Sequence, residues 1–262
     1  MLRKLRNLLH RTQHIINNNR QHQDVFRGYR PNALSQVDEA MLNYVIDFTG
    51  LSRGYIESCI RRKPGYTYVD EFRMRSPKDD TELEWFYVTS EKYIFANIIH
   101  RPWTMISEML PAGSVLDYGA GVGTDILPLA RKGYETYYFD INLVQREFVQ
   151  FVCAREGLSV TFIRPYFNGK FDPIHCIQGR FDAIITRSLL EHVPYYSDLI
   201  SHLVSCVNPN GLFLEASKFG NVEKDPMHLE EGEPIPDIME AFGMKLIRDE
   251  SPHRCWQKQV DG

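Results

Sequence analysis

The chain has 262 residues, of which 43% are hydrophobic and 24% are charged, and its formal net charge is −4. This composition is typical of a globular protein with one large domain or a core and a smaller cap, and the negative charge argues against a general nucleic-acid binder. Because no apolar run reaches about 18 residues, no membrane span is expected. Five scattered cysteines without a Cys-x-x-Cys pair predict a reduced, cytoplasmic protein without disulfides or zinc.

The first 102 residues are predicted to form a helical extension or cap. Ser76 followed by Pro77 is a typical helix start, with a capping hydroxyl and a proline at the first helical position. The most N-terminal helix has a narrow apolar face and is expected to pack on its own domain or in a homodimer. The periodicity predicts helices over 2–16, 33–48, 54–62 and 76–100, and a loop over 64–75.

Residues 103–262 are predicted to form a second domain in which strands and helices alternate. This alternation predicts an α/β fold with a mostly parallel seven-stranded sheet covered by helices on both faces. The last two strands follow each other without room for a crossover helix, so an antiparallel strand is expected at one edge. Strands are predicted over 114–117, 134–140, 159–164, 181–187, 211–217, 244–249 and 254–260, and helices over 124–132, 142–156, 195–207 and 235–242.

The most informative motif is a glycine loop between the first predicted strand and the first helix of this domain. Asp117 ends the strand, and Gly119, Gly121 and Gly123 follow at every second position. A sharp turn that also lets a ligand touch the backbone needs residues without a Cβ. Asp140 closes the next strand, 17 residues after the last glycine, where a carboxylate can accept both hydroxyls of a ribose. The segment is therefore interpreted as a nucleoside-binding half-fold.

The position of Asp117 indicates which nucleoside is bound. A dinucleotide fingerprint is Gly-x-Gly-x-x-Gly with a pyrophosphate on the helix N-terminus. Here the spacing is Asp-x-Gly-x-Gly-x-Gly, and a carboxylate at that place would repel a pyrophosphate. It suits a ligand with a positive amine or sulfonium.

The motif resembles motif I of the class I S-adenosylmethionine (SAM)-dependent methyltransferases. The resemblance extends through Asp140 to residues 179–193, which look like the fourth strand of that family and the loop after it. It implies a Rossmann-like fold, SAM as cofactor, S-adenosylhomocysteine as product, and a small-molecule acceptor with an oxygen, nitrogen or carbon nucleophile.

The resemblance also implies how the cofactor is held. Asp117 would bind the SAM amine, directly or through water, and Asp140 would bind the ribose, with Ile141 packing on the adenine. The alternatives are a purely structural turn and a helix cap. The third strand lacks the family's acid near the adenine amine, and Asp172 is a candidate replacement. The backbone of the loop would approach the cofactor at Gly119, Ala120, Gly121 and Gly123.

The acceptor side is less well defined by the sequence. Arg187 follows the fourth strand and could bind a substrate carboxylate or form a salt bridge with a loop acid. Since Arg187 stands where metal-dependent members of the family place acids, no catalytic metal is predicted. His192 and His228 are general-base candidates, with loop ordering as the alternative for both. Further substrate-binding candidates, each with core packing or another structural role as its alternative, are Tyr87, Tyr93, Tyr195, Tyr196 and Glu215.

Two other functions remain open at this point. The basic first 30 residues could contact phosphate, which would suit methylation of RNA, and methylation of protein is the related alternative. A non-catalytic SAM-binding module is the third reading, since a fold alone does not prove activity.

Overall fold

The computed structural model describes residues 32–61, 67–99, 102–220, 227–230 and 233–259. The chain divides into two compact units, Met1–His100 and Arg101–Gly262, while the boundary expected from the sequence lies at residue 102. The helix predicted over 2–16 falls outside the described residues. In the part of the chain that is described, no helix combines the length and apolar character needed to cross a membrane.

Within its described residues, the first unit consists of short helices with polar caps. Asp38 accepts a hydrogen bond from the amide of Ala40 at the start of the first helix, and Gly50, with a φ of 68°, ends it. A single 3₁₀ turn, Ala33–Gln36, precedes the α-helices. These are α1 (Glu39–Thr49), α2 (Arg53–Ile60), α3 (Tyr68–Arg75), α4 (Asp80–Thr89) and α5 (Tyr93–Asn97).

The prediction of a loop over 64–75 is wrong from residue 68 onward, where α3 begins. Its N-terminus is a capping box in which Thr67 and Asp70 satisfy each other's backbone amides. Ser76 is the C-cap of this helix, with a φ of 45°, and does not start the next one. The N-cap of α4 is Asp79, whose carboxylate accepts the amide of Glu82 at 2.8 Å.

The long helix predicted to reach His100 is also wrong, because it is broken between α4 and α5. The buried carboxylate of Glu71 accepts the hydroxyl of Ser90 at 2.9 Å and the amide of Lys92 at 3.4 Å. Arg75 pairs with the other oxygen of Glu71 at 2.6 Å. This tertiary interaction stabilises a bend that helical periodicity alone does not reveal.

The second unit is built on a seven-stranded sheet with the order β3-β2-β1-β6-β7-β9-β8. Strands β1, β2, β3, β6 and β7 are parallel, and β9 is antiparallel to both β7 and β8 at one edge, which confirms the predicted fold class. The strands of this sheet are β1 (Ser114–Tyr118), β2 (Glu135–Phe139), β3 (Thr161–Phe162), β6 (Phe181–Arg187), β7 (Val207–Ala216), β8 (Met244–Glu250) and β9 (His253–Lys258).

The third strand is shorter than predicted, because the chain soon turns into a separate hairpin. Asn168 and Gly169 at its tip have φ values of 50° and 76°, as a tight hairpin turn requires. The hairpin strands are β4 (Tyr166–Phe167) and β5 (Lys170–Phe171), and the helices of this unit are α6 (Met105–Met109), α7 (Ile126–Arg131), α8 (Leu143–Glu156), α9 (Tyr196–Ser205) and α10 (Ile235–Ala241).

The central strands bury both faces, as expected of a parallel sheet between helices. Leu116 on β1, Ile184 on β6 and Phe213 on β7 are fully buried and belong to one apolar cluster with α9 and α10. Because β1, β2 and β6 run in the same direction, their carboxyl ends share one edge, where ligands bind in open α/β sheets.

Candidate functional site

The loop that follows β1 has a backbone that favours glycine at each glycine position. Gly119, Gly121 and Gly123 have φ values of 82°, 55° and 78°, in the left-handed region that costs other residues about 1–2 kcal/mol. A Cβ on Gly119 would lie 2.9 Å from a methyl of Leu189, in the loop after β6. Glycine is therefore needed at position 119 both for the backbone conformation and for the close approach of Leu189.

Backbone hydrogen bonds hold the glycine loop against the end of β2. The amides of Gly119 and Ala120 both donate to the carbonyl of Phe139, at 2.9 and 3.0 Å. The amide of Gly121 donates to Asp140 Oδ2 at 2.7 Å, and the hydroxyl of Tyr138 donates to the Gly121 carbonyl at 2.7 Å. The two acidic ends of the motif are thereby held next to each other.

Asp117 and Asp140 are buried carboxylates at this edge, 3% and 8% exposed. Burial raises the pKa of Asp140 to about 6, although amide donors from Asn142 and Gly121 oppose the rise. Burial raises the pKa of Asp117 well above its usual range, and the neighbouring charges of Asp125 and Asp140 add to the rise. Burial thus disfavours the charged forms of both carboxyls, and a cationic ligand at this edge would stabilise those charged forms.

Arg187 forms the salt bridge that the sequence left open as an alternative. Its Nη1 lies 3.0 Å from each carboxylate oxygen of Asp125, and the amide of Trp103 donates to the same carboxylate at 2.5 Å. The ring of His253 lies 4.9 Å from that of Trp103; burial, and then the charge of Arg187, lower its pKa. The role of Arg187 in substrate binding stays a prediction.

The two histidines that the sequence singled out lie next to each other. The rings of His192 and His228 are 4.8 Å apart at an angle of 69°, and Nδ1 of His192 lies 3.0 Å from the carbonyl oxygen of Met227. Glu191, which is 2% exposed, lies beside them. The structure therefore brings together one carboxylate and two imidazoles, although 35 residues separate the two loops.

Other predicted site residues have mixed surroundings. Tyr195 is exposed, whereas Tyr196 is buried, with its hydroxyl donating to the carbonyl of Glu233 at 2.8 Å. Glu215 is fully buried, and Nε of Arg254 lies 2.5 Å from its carboxylate. Burial raises the pKa of Glu215 to about 7. In this structure Glu215 forms a buried ion pair with Arg254 on the adjacent strand. The contact of Glu215 with a substrate stays a prediction.

Residues expected near the adenine and in the first unit are also accounted for. Ile141 is half-buried and packs against the apolar cluster beside Asp140. Asp172, the candidate replacement acid, accepts the amide of His175 at 2.9 Å and so caps its own turn. Tyr87 and Tyr93 lie in the first unit with their rings 6.0 Å apart, and their role in substrate binding stays a prediction.

Two functional candidates were missed by the sequence analysis. Asp125 lies two residues after the glycine loop and anchors Arg187, and its position in the motif was the available signal. Glu191 adjoins His192 in a segment that was recognised as a loop signature, but its proximity to His228 depends on the tertiary fold.

Comparison with known proteins agrees with this geometry. A family model described as a methyltransferase domain matches residues 91–247, more than half of the chain. The ubiquinone biosynthesis O-methyltransferase of Paramagnetospirillum magneticum is 27% identical over 104 residues, which are 40% of this chain and 40% of that protein. The chain thus spans less than half the length of this curated relative.

Two solved structures show the same fold. TehB from Haemophilus influenzae superposes with a TM-score of 0.51 and 17% identity, covering 68% of this chain and 67% of that one. A SAM-dependent methyltransferase from Methanosarcina mazei gives a TM-score of 0.50 and 15% identity, covering 62% of this chain and 100% of that one. With the family match, they confirm the resemblance drawn from the glycine motif, and the chain belongs to the methyltransferase-domain family.

Proposed function

We propose that this protein transfers a methyl group from SAM to a small-molecule acceptor. The observation that carries the proposal is the pair of buried carboxylates, Asp117 and Asp140, on either side of a loop whose three glycines all have positive φ values. Buried anions without enough cations are unfavourable until a positive ligand arrives. SAM has a positive amine and a positive sulfonium, and its ribose offers two hydroxyls.

The residues present fit this cofactor. A side chain at Gly119 would clash with Leu189, so glycine lets the loop after β6 pack closely against the glycine loop. Each oxygen of Asp140 accepts one backbone amide, at 2.7 Å, and a carboxylate oxygen can accept a second hydrogen bond. Asp140 would therefore hold the ribose hydroxyls without giving up the bonds that fix it. Asp117 would hold the amine, and Gly119, Ala120, Gly121 and Ile141 would line the remainder.

When bound, SAM supplies an activated methyl group, so this chain's residues have to position the acceptor and manage its proton. His192 and His228 form the polar cluster of the loops beyond β6, and Leu189, in the same loop, adjoins the glycine loop. These histidines are therefore the proposed site of proton removal from the acceptor. Arg187, Tyr195, Tyr196 and Glu215 keep their proposed roles on the acceptor side.

A small-molecule acceptor is supported by the curated relative, whose name places it in ubiquinone biosynthesis. The five cysteines are all free and buried, which supports the proposed cytoplasmic location. The homodimer through the N-terminal helices remains a proposal. The lack of nucleic-acid binding also remains a proposal.

Calorimetry with SAM tests the cofactor part of this proposal. We expect binding to the full chain that Asp140→Asn weakens, because the amide offers one acceptor oxygen where the carboxylate offers two. Asp198→Asn, an exposed acid in the first turn of α9, is the matched control and should bind SAM normally. Equal affinity for all three proteins would overturn the site assignment.

Turnover needs a separate test, because binding alone would also fit a non-catalytic module. We expect S-adenosylhomocysteine to accumulate when the protein is incubated with SAM and a metabolite extract. Protein that binds SAM but forms no product with many extracts, while methylating RNA or protein in parallel assays, would overturn the small-molecule acceptor.

A further inference from the structure

One side-chain cluster beyond the cofactor residues has the composition of a metal site. Glu191, His192 and His228 each offer a ligand atom, and these atoms all lie within 4.8 Å of one another. In a tetrahedral site with bonds of about 2.1 Å, ligand atoms lie about 3.4 Å apart. Movements of the ligand atoms on the order of 1 Å, by rotation of the side chains, would therefore bring these three groups into contact with one ion.

The backbone holds the two contributing loops together. Glu191 and His192 belong to a 3₁₀ turn, Leu190–His192, directly after β6. The amide of Leu229 donates to the Glu191 carbonyl at 2.7 Å, and the amide of Gly220 donates to the Leu229 carbonyl at 2.7 Å. His228 is thus placed next to Glu191 by main-chain bonds that do not depend on the side chains of the cluster.

The contact of His192 with the backbone favours metal binding through its other nitrogen. Its Nδ1 lies 3.0 Å from the Met227 carbonyl, and because a carbonyl only accepts, this nitrogen must carry the proton. In the neutral ring, Nε2 is then the nitrogen that can bind a metal ion. A histidine ligand that donates its second N–H to a backbone carbonyl is the usual arrangement around protein-bound metals.

From this geometry we propose that Glu191, His192 and His228 bind one divalent first-row transition-metal ion of the zinc class. Two imidazoles and one carboxylate are the ligands that zinc and its neighbours prefer, whereas magnesium and calcium prefer oxygen ligands alone. Glu191 is 2% exposed, so the ion would have a buried carboxylate as one of its ligands. Three protein ligands leave at least one coordination position open.

The open position suggests what the ion does, and this step rests on the proposed methyl transfer. Leu189, two residues before Glu191, packs against Gly119, so the turn that carries Glu191 and His192 follows directly on the contact with the glycine loop. A hydroxyl bound to the ion becomes more acidic and loses its proton to solvent, so the two histidines act as ligands of the ion and not as the bases proposed above. The resulting oxygen anion forms the new O–C bond with the methyl carbon while the C–S bond breaks, and the electron pair of that bond stays on sulfur. The acceptor class is then a hydroxyl compound that can coordinate the ion.

No catalytic metal was predicted from the sequence, since Arg187 and Ser188 follow the fourth strand where metal-dependent members of the family place acids. Glu191 and His192 lie a few residues further on, and His228 belongs to another loop. The proposed metal site therefore departs from that prediction.

Metal binding by the full chain tests this proposal without an activity assay. Protein treated with a chelator is titrated with Zn²⁺, and separately with Co²⁺ while its visible absorption is recorded. We expect one equivalent per chain, and at least a tenfold weaker affinity in His228→Ala, His192→Ala and Glu191→Gln, as typical for loss of a ligand. His175→Ala is the control, because His175 is an exposed histidine paired with Asp172 elsewhere.

The outcomes separate this proposal from the proposed function. SAM binding is measured on the same chelator-treated protein, where we expect it to persist. Absence of stoichiometric Zn²⁺ and Co²⁺ binding, or tight binding that none of the three ligand variants weakens, would overturn the metal site and leave the cofactor assignment standing. Glu191→Gln keeps the size of the side chain, and a circular-dichroism spectrum like that of the parent shows that lost binding is not lost folding.

Discussion

The carboxyl edge of the sheet has two halves that are built in different ways. On the β1–β2 side, backbone amides hold Asp140, and the three loop glycines have positive φ values. On the β6 side, side chains from two distant loops meet, with imidazoles next to a carboxylate. The first half presents two buried carboxyl groups, which suit a cationic cofactor, whereas the second presents groups that bind a proton or a metal. We therefore expect substitutions on the β1–β2 side to weaken SAM binding and substitutions on the β6 side to leave it unchanged.

The largest effect is expected for Asp117→Ala on the β1–β2 side. Asp117 is buried and is proposed to meet the cofactor amine, and charge-assisted hydrogen bonds contribute about 1.5–3 kcal/mol. We expect SAM affinity to fall by about a hundredfold, to the limit of detection by calorimetry. His228→Ala, on the other side, should change SAM affinity little. Equal losses in both variants would contradict this expectation.

Gly119→Ala tests whether SAM binding depends on glycine at the contact between the glycine loop and Leu189. The positive φ of 82° would cost alanine about 1–2 kcal/mol, and its Cβ would lie 2.9 Å from Leu189. We expect a lower melting temperature and weaker SAM binding. Gly133→Ala shares a positive φ, of 85°, but would meet no atom within 4 Å, so it reports the backbone strain alone. If the two variants lose the same SAM affinity, the contact with Leu189 has no role.

Acid should weaken SAM binding through Asp140. Its pKa of about 6 lies above the usual value, and the carboxylate is the form that accepts ribose hydroxyls. Below about pH 6 the protonated form competes, so affinity should fall by about tenfold per pH unit, and the raised pKa of Asp117 acts in the same direction. Calorimetry between pH 5 and pH 7.5 checks this, and Asp140→Asn should flatten the profile. A wild-type affinity independent of pH would be inconsistent with buried carboxylates as ligands.

The smallest effect is expected for Tyr196→Phe on the β6 side. The hydroxyl donates to the Glu233 carbonyl at 2.8 Å, so its loss should reduce the free energy of unfolding by about 1 kcal/mol. Denaturant unfolding measures this change, and SAM affinity should stay constant. Weaker SAM binding with an unchanged free energy of unfolding would indicate that Tyr196 contributes to cofactor binding.

The sequence signals on the β1–β2 side are local. Asp117, the three glycines and Asp140 lie within one strand–loop–helix–strand unit, and each glycine answers a conformational demand of its own position. The β6 side depends on contacts between residues that are distant in sequence, such as that of Asp125 with Arg187 and that of Glu191 with His228. Hydrophobic periodicity carries no information about such pairs.

The errors in the first unit have two different causes. Helix α3 was missed because Pro64 and Gly65 suggested a loop and its local capping box was not recognised. The break between α4 and α5 was missed because Glu71 stabilises it from another helix. Only the second error comes from a contact between distant residues.

The most direct test of the central claim is a crystal structure of the protein with S-adenosylhomocysteine. We expect both carboxylate oxygens of Asp140 within hydrogen-bond distance of the ribose hydroxyls, and Asp117 near the amine, directly or through one water. A ligand bound away from Asp117 and Asp140 would contradict the account.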